Sequence, residues 1–395
     1  MKFCFKGLNF FAVLVLAVVS AFAADEQKAQ GEQKSEQKAQ VEQQGQQKTQ
    51  VDYCGIIDLP ITWTKDNSPY RITGDLQISH AARLTIEPGV EVHIVPGETC
   101  GETKQIDWAD SNYVSIKVFG SLIMRGTAKE PIRILPENHI PGKIQWDGIR
   151  LARKERAQIQ IEYVHIMGAN RAIYAMFSRF NIGNSLFIGN GTGVWLDSEG
   201  DVSVYNSVFT ENLSAGIYIN NSRPSIAANI FYKNSNFGIW SDSRPSPRIR
   251  NNLFFENSDT DCRFCPVGIA RIIKSEDSYF PTDKFGNIFS DPIFVGSEKE
   301  KLMEKRDLNL PTPIKNTKDT ALHKIYEKSQ AGSPPDAKSK PSPANTEPQL
   351  FRLSKYSPGI NAAPKTDFFK NVDDNRSDIG LYGGKPNRFD KVIAF

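Results

Sequence analysis

The sequence predicts an all-β solenoid, a parallel β-helix with about 22 residues per coil, and three observations carry that prediction. First, one short segment recurs. Glu162-Tyr163-Val164-His165-Ile166-Met167-Gly168 aligns with segments starting at Asn184, Asn206, Ala228 and Asn251, and the starts lie 22, 22, 22 and 23 residues apart. Second, four of these five units carry phenylalanine at one position (Phe187, Phe209, Phe231, Phe254) and close on asparagine (Asn190, Asn212, Asn234, Asn257). Third, 13 of the chain's 26 asparagines fall between 181 and 257, where stacked amides would satisfy one another and the backbone at the turns. Helical repeats usually run to about 33–47 residues and show 3.6-residue periodicity, which is missing here. Leucine-rich repeats have a similar length, but their fixed leucine pattern is absent.

In chain order, Lys2 and Lys6 precede an apolar run from Phe10 to Val19, and Ala21-Phe22-Ala23 gives a small-x-small cleavage pattern. Residues 1–23 therefore read as a signal peptide, so the chain is expected to be secreted, periplasmic or on the cell surface, with no transmembrane segment after cleavage. Residues 24–52 repeat Glu, Gln and Lys without an apolar face and read as a linker. The solenoid is expected over 53–296. A Lys-, Pro-, Ser- and Ala-rich insertion follows over 297–348, and a closing segment over 349–395. After each repeated segment come a small residue, an aliphatic residue and an aromatic: Ala172-Ile173-Tyr174, Gly193-Val194-Trp195, Gly216-Ile217-Tyr218 and Gly238-Ile239-Trp240. Trp146 to Leu151 adds an earlier unit, and Gly268-Ile269 reads as a later one.

Several function classes fall away on composition. The 48 Lys and Arg nearly balance 45 Asp and Glu, so no global field draws nucleic acid, and the loss of Lys2 and Lys6 lowers the net charge from +3 to +1. Five histidines at 80, 93, 139, 165 and 323 share no ligand spacing, so a histidine-built metal centre is not expected.

The repeats, together with Leu84-Thr85-Ile86-Glu87-Pro88-Gly89-Val90, Val118-Phe119-Gly120-Ser121-Leu122, Asp291-Pro292-Ile293-Phe294-Val295 and Asp378-Ile379-Gly380-Leu381-Tyr382, resemble the right-handed parallel β-helix proteins of the pectate-lyase-like superfamily, in the group of secreted bacterial repeat proteins. The resemblance covers roughly 53–296 and 349–384. It implies the fold far more than an activity, because this architecture hosts lyases, hydrolases, adhesins and accessory proteins. The insertion before the closing segment departs from the pattern, and the closing segment is expected to detach from the stack there.

Strand parity supplies the candidate site. With Ile173, Val194, Ile217 and Ile239 inward, Tyr174, Trp195, Tyr218 and Trp240 point outward on successive coils. Exposed, they would form a flat apolar stripe about 14 Å long on which sugar rings stack. The competing reading is an aromatic ladder that only stabilises the sheet, at about 0.2–1 kcal/mol per cross-strand pair. Asp197, Asn220 and Asp242 follow two residues on. Asp197 and Asp242, two coils apart, would stand roughly 9.6 Å from each other, near the upper end of the separation used by inverting glycosidases. Outward Asp is, however, ordinarily a solvated side chain, and the Asn-Thr-Asp, Asp-Asp and Gly-His-Gly motifs of family polygalacturonases are missing. A lyase would need Ca²⁺ held by carboxylates such as Asp197, Glu199, Asp201 and Asp242, with Arg150, Arg223 or Arg244 as base. Arg150 and Arg244 are otherwise expected to contact substrate. Of the three pairings open to Cys54, Cys100, Cys262 and Cys265, Cys54 with Cys100 and Cys262 with Cys265 is preferred, and a Cys4 zinc site is set aside because export favours disulfides. The expectation is thus a monomeric, non-catalytic envelope or secreted protein that binds polysaccharide through the aromatic row. The alternatives are a lyase or glycoside hydrolase acting on acidic polysaccharide, or a purely structural envelope protein.

Overall fold

The computed structural model describes residues 51–96, 113–151, 158–198, 201–242, 246–273, 280–309, 351–360, 362 and 379–381. Every ladder between its named strands is parallel, in one sheet of seventeen strands and one of eight. The eight-stranded sheet contributes one strand per coil, from Ile61–Trp63 to Arg248–Arg250. The seventeen-stranded sheet comprises two ladders that Tyr70–Ile78 joins: its first residues pair with Val92–Ile94 and its last with Ile116–Val118. Each coil therefore has three sides, as a repeat of about 22 residues with three short strands requires.

Left-handed backbone turns make the corners. Tyr163, Asn184, Asn206, Ala228 and Asn251 mark one corner at φ between 48° and 59°. Gly168, Gly189, Glu211, Lys233 and Glu256 mark a second, and Phe177, Ser198 and Asn221 a third. This conformation costs most residues energy but is tolerated by Gly and Asn. That tolerance accounts for part of the asparagine density in the repeats.

The interior columns stack like on like. Phe187, Phe209, Phe231, Phe254 and Phe289 pair in register, with ring centroids 4.9, 5.1, 4.9 and 5.5 Å apart and planes within 12° of parallel. Gly216 is required by this column. A Cβ there would lie 2.8 Å from Cδ1 of Phe231 and 2.7 Å from the Gly238 carbonyl oxygen. Amides fill one corner: Asn190, Asn212 and Asn234 each donate Nδ2 to the Oδ1 of the next residue in the column, at 3.2, 2.8 and 2.8 Å, and the series ends with Asn257 donating to Asp261 at 2.8 Å. A second column runs from Asn229 through Asn252 to Asn287, again by Nδ2 to Oδ1 at 3.0 Å per step, and ends on the buried carboxylate of Asp283. Both columns thus point their donors the same way and finish on a carboxyl group, which polarises each chain in one direction.

Two sequence assignments are corrected. The first repeat slips by one residue: His165 pairs with Leu186 and Ile166 with Phe187, because the corner residue Tyr163, not Glu162, is the counterpart of Asn184. The coil after Trp240 is supplied by Thr260–Arg263, with Cys262 opposite Ile239, and not by Gly268-Ile269.

The closing segment lies on the solenoid. Outside the phenylalanine column the outward row changes from Arg133 and His165 to Leu186, Val208, Ile230, Leu253 and Ile288. Ile379, Leu381 and Leu353 pack on this apolar run. The Gly380 N–H donates to the Ala228 carbonyl at 2.7 Å, and the Nδ2 groups of Asn184 and Asn251 donate to the Leu381 and Ala362 carbonyls. The insertion does not detach these residues. A polar helix, Glu298–Asn309, begins the stretch read as low-complexity. Among the described residues no helix is long and apolar enough to cross a membrane.

Candidate functional site

Strands Arg171–Met176, Thr192–Asp197, Ala215–Asn220 and Phe237–Asp242 place the outward residues as the parity argument expects. Tyr174, Trp195, Tyr218 and Trp240 are partners in consecutive ladders. The row extends to Lys117 and Arg150 on one side and to Arg263 on the other.

It is neither flat nor fully open, which corrects the expected stripe. Tyr174 is 4% exposed and Tyr218 8%, whereas Trp195 and Trp240 are half-buried. Neighbouring rings are inclined by 36°, 42° and 85°. Rings of unequal size on a twisted sheet cannot stack face to face at the strand spacing and tilt instead. Two arginines also lie against the aromatics. The Arg171 guanidinium sits 4.2 Å from the Trp195 ring, and that of Arg263 5.8 Å from Trp240 and 5.0 Å from Phe237. The Trp195 Nε1–H is buried without an acceptor among the described residues.

Beside the aromatics, Asp197, Asn220 and Asp242 pair rung to rung. Asp197 accepts three donors: the Tyr174 hydroxyl at 3.1 Å on Oδ2, and Ser198 Oγ and Asn220 Nδ2, each at 2.9 Å, on Oδ1. Asp242, which is exposed, accepts the Tyr218 hydroxyl at 3.4 Å. Burial, followed by the charge of Asp197, pushes the Tyr174 hydroxyl up to about 12, and burial followed by Asp242 raises Tyr218. Both phenols therefore stay protonated as donors near neutrality. Three donors hold the Asp197 carboxyl in one orientation, which suits positioning of a ligand.

The remaining candidates divide. Arg150 is fully buried in an ion pair with Asp147, its Nε 2.6 Å from Oδ2, so it belongs to the protein interior and not to a substrate contact. Arg244 and Glu199 lie outside the described residues. Asp201 is exposed and paired with Arg179 at 2.6 Å. Among the described residues no three His, Cys, Asp or Glu gather as a metal site. Cys262 and Cys265 form a disulfide. Cys54 is also disulfide-bonded, while Cys100 lies outside the described residues. Sequence reasoning missed Arg171 and Arg263. Arg171 lies three residues before Tyr174 at a position where later coils carry Thr192 and Ala215, so no repeated signal marked it.

Comparison with known proteins agrees with this geometry. Residues 137–279 match the family model described as a right handed beta helix region. Neither the curated proteins nor the solved structures gave a match. The described coils fold as a three-sided parallel β-helix, and over residues 137–279 the chain is similar to right-handed β-helix regions, an architecture consistent with the pectate-lyase-like superfamily.

Proposed function

We propose that this is an exported glycan-binding β-helix protein that holds polysaccharide along the face of Trp195 and Trp240 without cleaving it. One observation carries the reading. Two half-buried indoles stand two coils apart in a single outward row, and the polar row Asp197, Asn220 and Asp242 runs alongside in register. Indole faces take the C–H side of sugar rings, and the adjacent carboxylates and amide orient hydroxyls, the usual division between apolar lining and a few placed polar groups. Export is supported by the basic, apolar and small-residue pattern of residues 1–23.

Retention on insoluble plant or cell-wall polysaccharide tests the reading. Trp195→Ala and Trp240→Ala should each weaken retention and together abolish it; unchanged retention rules this face out. Incubation with a polysaccharide panel, with and without Ca²⁺, should release neither reducing ends nor unsaturated products. Release that is lost in Asp197→Asn and Asp242→Asn would replace binding by catalysis.

A further inference from the structure

The outward face of the aromatic row has a period of two coils, not one. Trp195-Leu196-Asp197 and Trp240-Ser241-Asp242 carry an indole and a carboxylate at matched positions, and the coil between them carries Tyr218-Ile219-Asn220. Hydrogen bonding repeats in the same way. The Tyr174 hydroxyl donates to Asp197 on the next coil at 3.1 Å, and the Tyr218 hydroxyl donates to Asp242 on the next coil at 3.4 Å. Both tyrosines are buried and both tryptophans half-buried, so the accessible rings recur at every second coil. Two like units, each an indole beside a carboxyl group that a phenol holds, therefore lie about 9.6 Å apart along the stack, from two strand spacings. Arg171 comes from the coil before Trp195 and Arg263 from the coil after Trp240. The guanidiniums that lie on these indoles thus belong to the outer ends of the pair.

A ligand that uses both units must itself repeat at about that distance. Sugar rings joined by equatorial bonds at positions 1 and 4 form a flat ribbon, in which neighbours are turned over and alternate rings present the same side. With single bonds of about 1.5 Å, each ring advances the ribbon by about 5 Å, and the side repeats after about 10 Å. That distance matches two coils. A chain that winds through three or more sugars before repeating sets a differently rotated ring over the second indole. Given that Trp195 and Trp240 hold glycan, we infer that the glycan is of the diequatorial 1,4-linked class and runs parallel to the solenoid axis. Its first and third sugars lie on the two indoles, with Asp197 and Asp242 taking their hydroxyls. The middle sugar lies over the coil of Tyr218 and Asn220.

Calorimetric titration of the full chain with cello- and N-acetylchito-oligosaccharides of two to five sugars tests the inference, with malto-oligosaccharides as the 1,4-linked series that coils. In at least one of the first two series, affinity should rise at least about tenfold from disaccharide to trisaccharide, because the third sugar reaches the second indole without a new encounter. Longer members should gain much less. Trp195→Ala and Trp240→Ala should each abolish the step and leave the trisaccharide at the disaccharide level, with an unchanged circular dichroism spectrum. Silence of both ribbon-forming series, a step at another length, an even rise with length, a step that survives either substitution, or tighter binding of the malto series would overturn the inference. In each of those cases, retention on insoluble polysaccharide that depends on the two tryptophans would leave glycan binding itself standing. A wild type that no polysaccharide retains would overturn both.

Discussion

Replacement of Asn234 by alanine probes the buried amide column at its midpoint. Asn234 is fully buried. Its Nδ2 donates to Asn257 Oδ1 at 2.8 Å and to the Phe209 carbonyl at 3.0 Å, and its Oδ1 accepts the Asn212 N–H at 3.2 Å and Asn212 Nδ2 at 2.8 Å. Alanine strands the two Asn212 donors in the interior, and each stranded buried group costs about 1–3 kcal/mol. The Phe209 carbonyl and Asn257 Oδ1 lose one partner each; Asn257 Oδ1 keeps the Asn234 N–H. A loss of about 3–4 kcal/mol follows, a large share of the stability of an ordinary domain. Asn236→Ala, whose exposed side chain donates to the Leu213 carbonyl at 3.4 Å, should cost less than about 1 kcal/mol. Urea unfolding followed by circular dichroism gives the difference, and amide exchange over 209–257 localises it, because coils in a solenoid answer mainly to their neighbours. Equal losses for the two variants, or unchanged protection of the Asn212 amide, would refute the reasoning.

Asp283→Asn turns one carboxylate oxygen into a donor facing N–H groups. Oδ1 accepts Phe285 and Asn287 N–H, and Oδ2 accepts Ala270 N–H and Asn287 Nδ2, so urea unfolding should show a loss of about 2–3 kcal/mol. Asp261→Asn, which keeps an oxygen for Asn257 Nδ2, should be nearly neutral in the same assay. His165 carries an acid-sensitive term: burial, then the Arg133 charge, lowers it from 6.5 to about 4. The unfolded chain therefore binds the proton first, and stability present above pH 6.5 is lost as pH falls toward 4. His165→Leu, which continues the column with the residue found at Leu186, should flatten the decline in Tm between pH 7 and pH 4.5.

The repeat legible in the sequence was a geometric one. Phe187, Phe209, Phe231 and Phe254 recur because each must stack on its own kind in a space closed by Gly193, Gly216 and Gly238, and such a column leaves a period that can be read directly. The outward aromatics followed from strand parity alone, and their register is as expected. What could not be read was cover. Tyr174 and Tyr218 are buried, and Arg171 and Arg263 lie on the indoles, through contacts between side chains whose sequence positions do not repeat. The one-residue slip at Glu162 arose where Ile166 stands in for phenylalanine, so the strongest marker of the column was missing. The second amide column was hidden for a related reason. Its earlier coils carry Ser185 and Ser207 in place of Asn229, Asn252 and Asn287, and the burial of Arg150 against Asp147 leaves no repeated trace at all.

Like-on-like stacking of the coils can be measured by cross-linking at the second corner. Glu211 and Lys233 are exposed corner residues, and the Thr210–Tyr232 pair immediately before them is in register. Their Cα atoms should therefore stand about 4.8 Å apart, within reach of a disulfide. Glu211→Cys/Lys233→Cys should form that bond under mild oxidation, seen as a single linked peptide by mass spectrometry, whereas Glu211→Cys/Tyr232→Cys should form little. Equal yields from the two pairs, or a preference for the second, would show that the coils do not stack in this register.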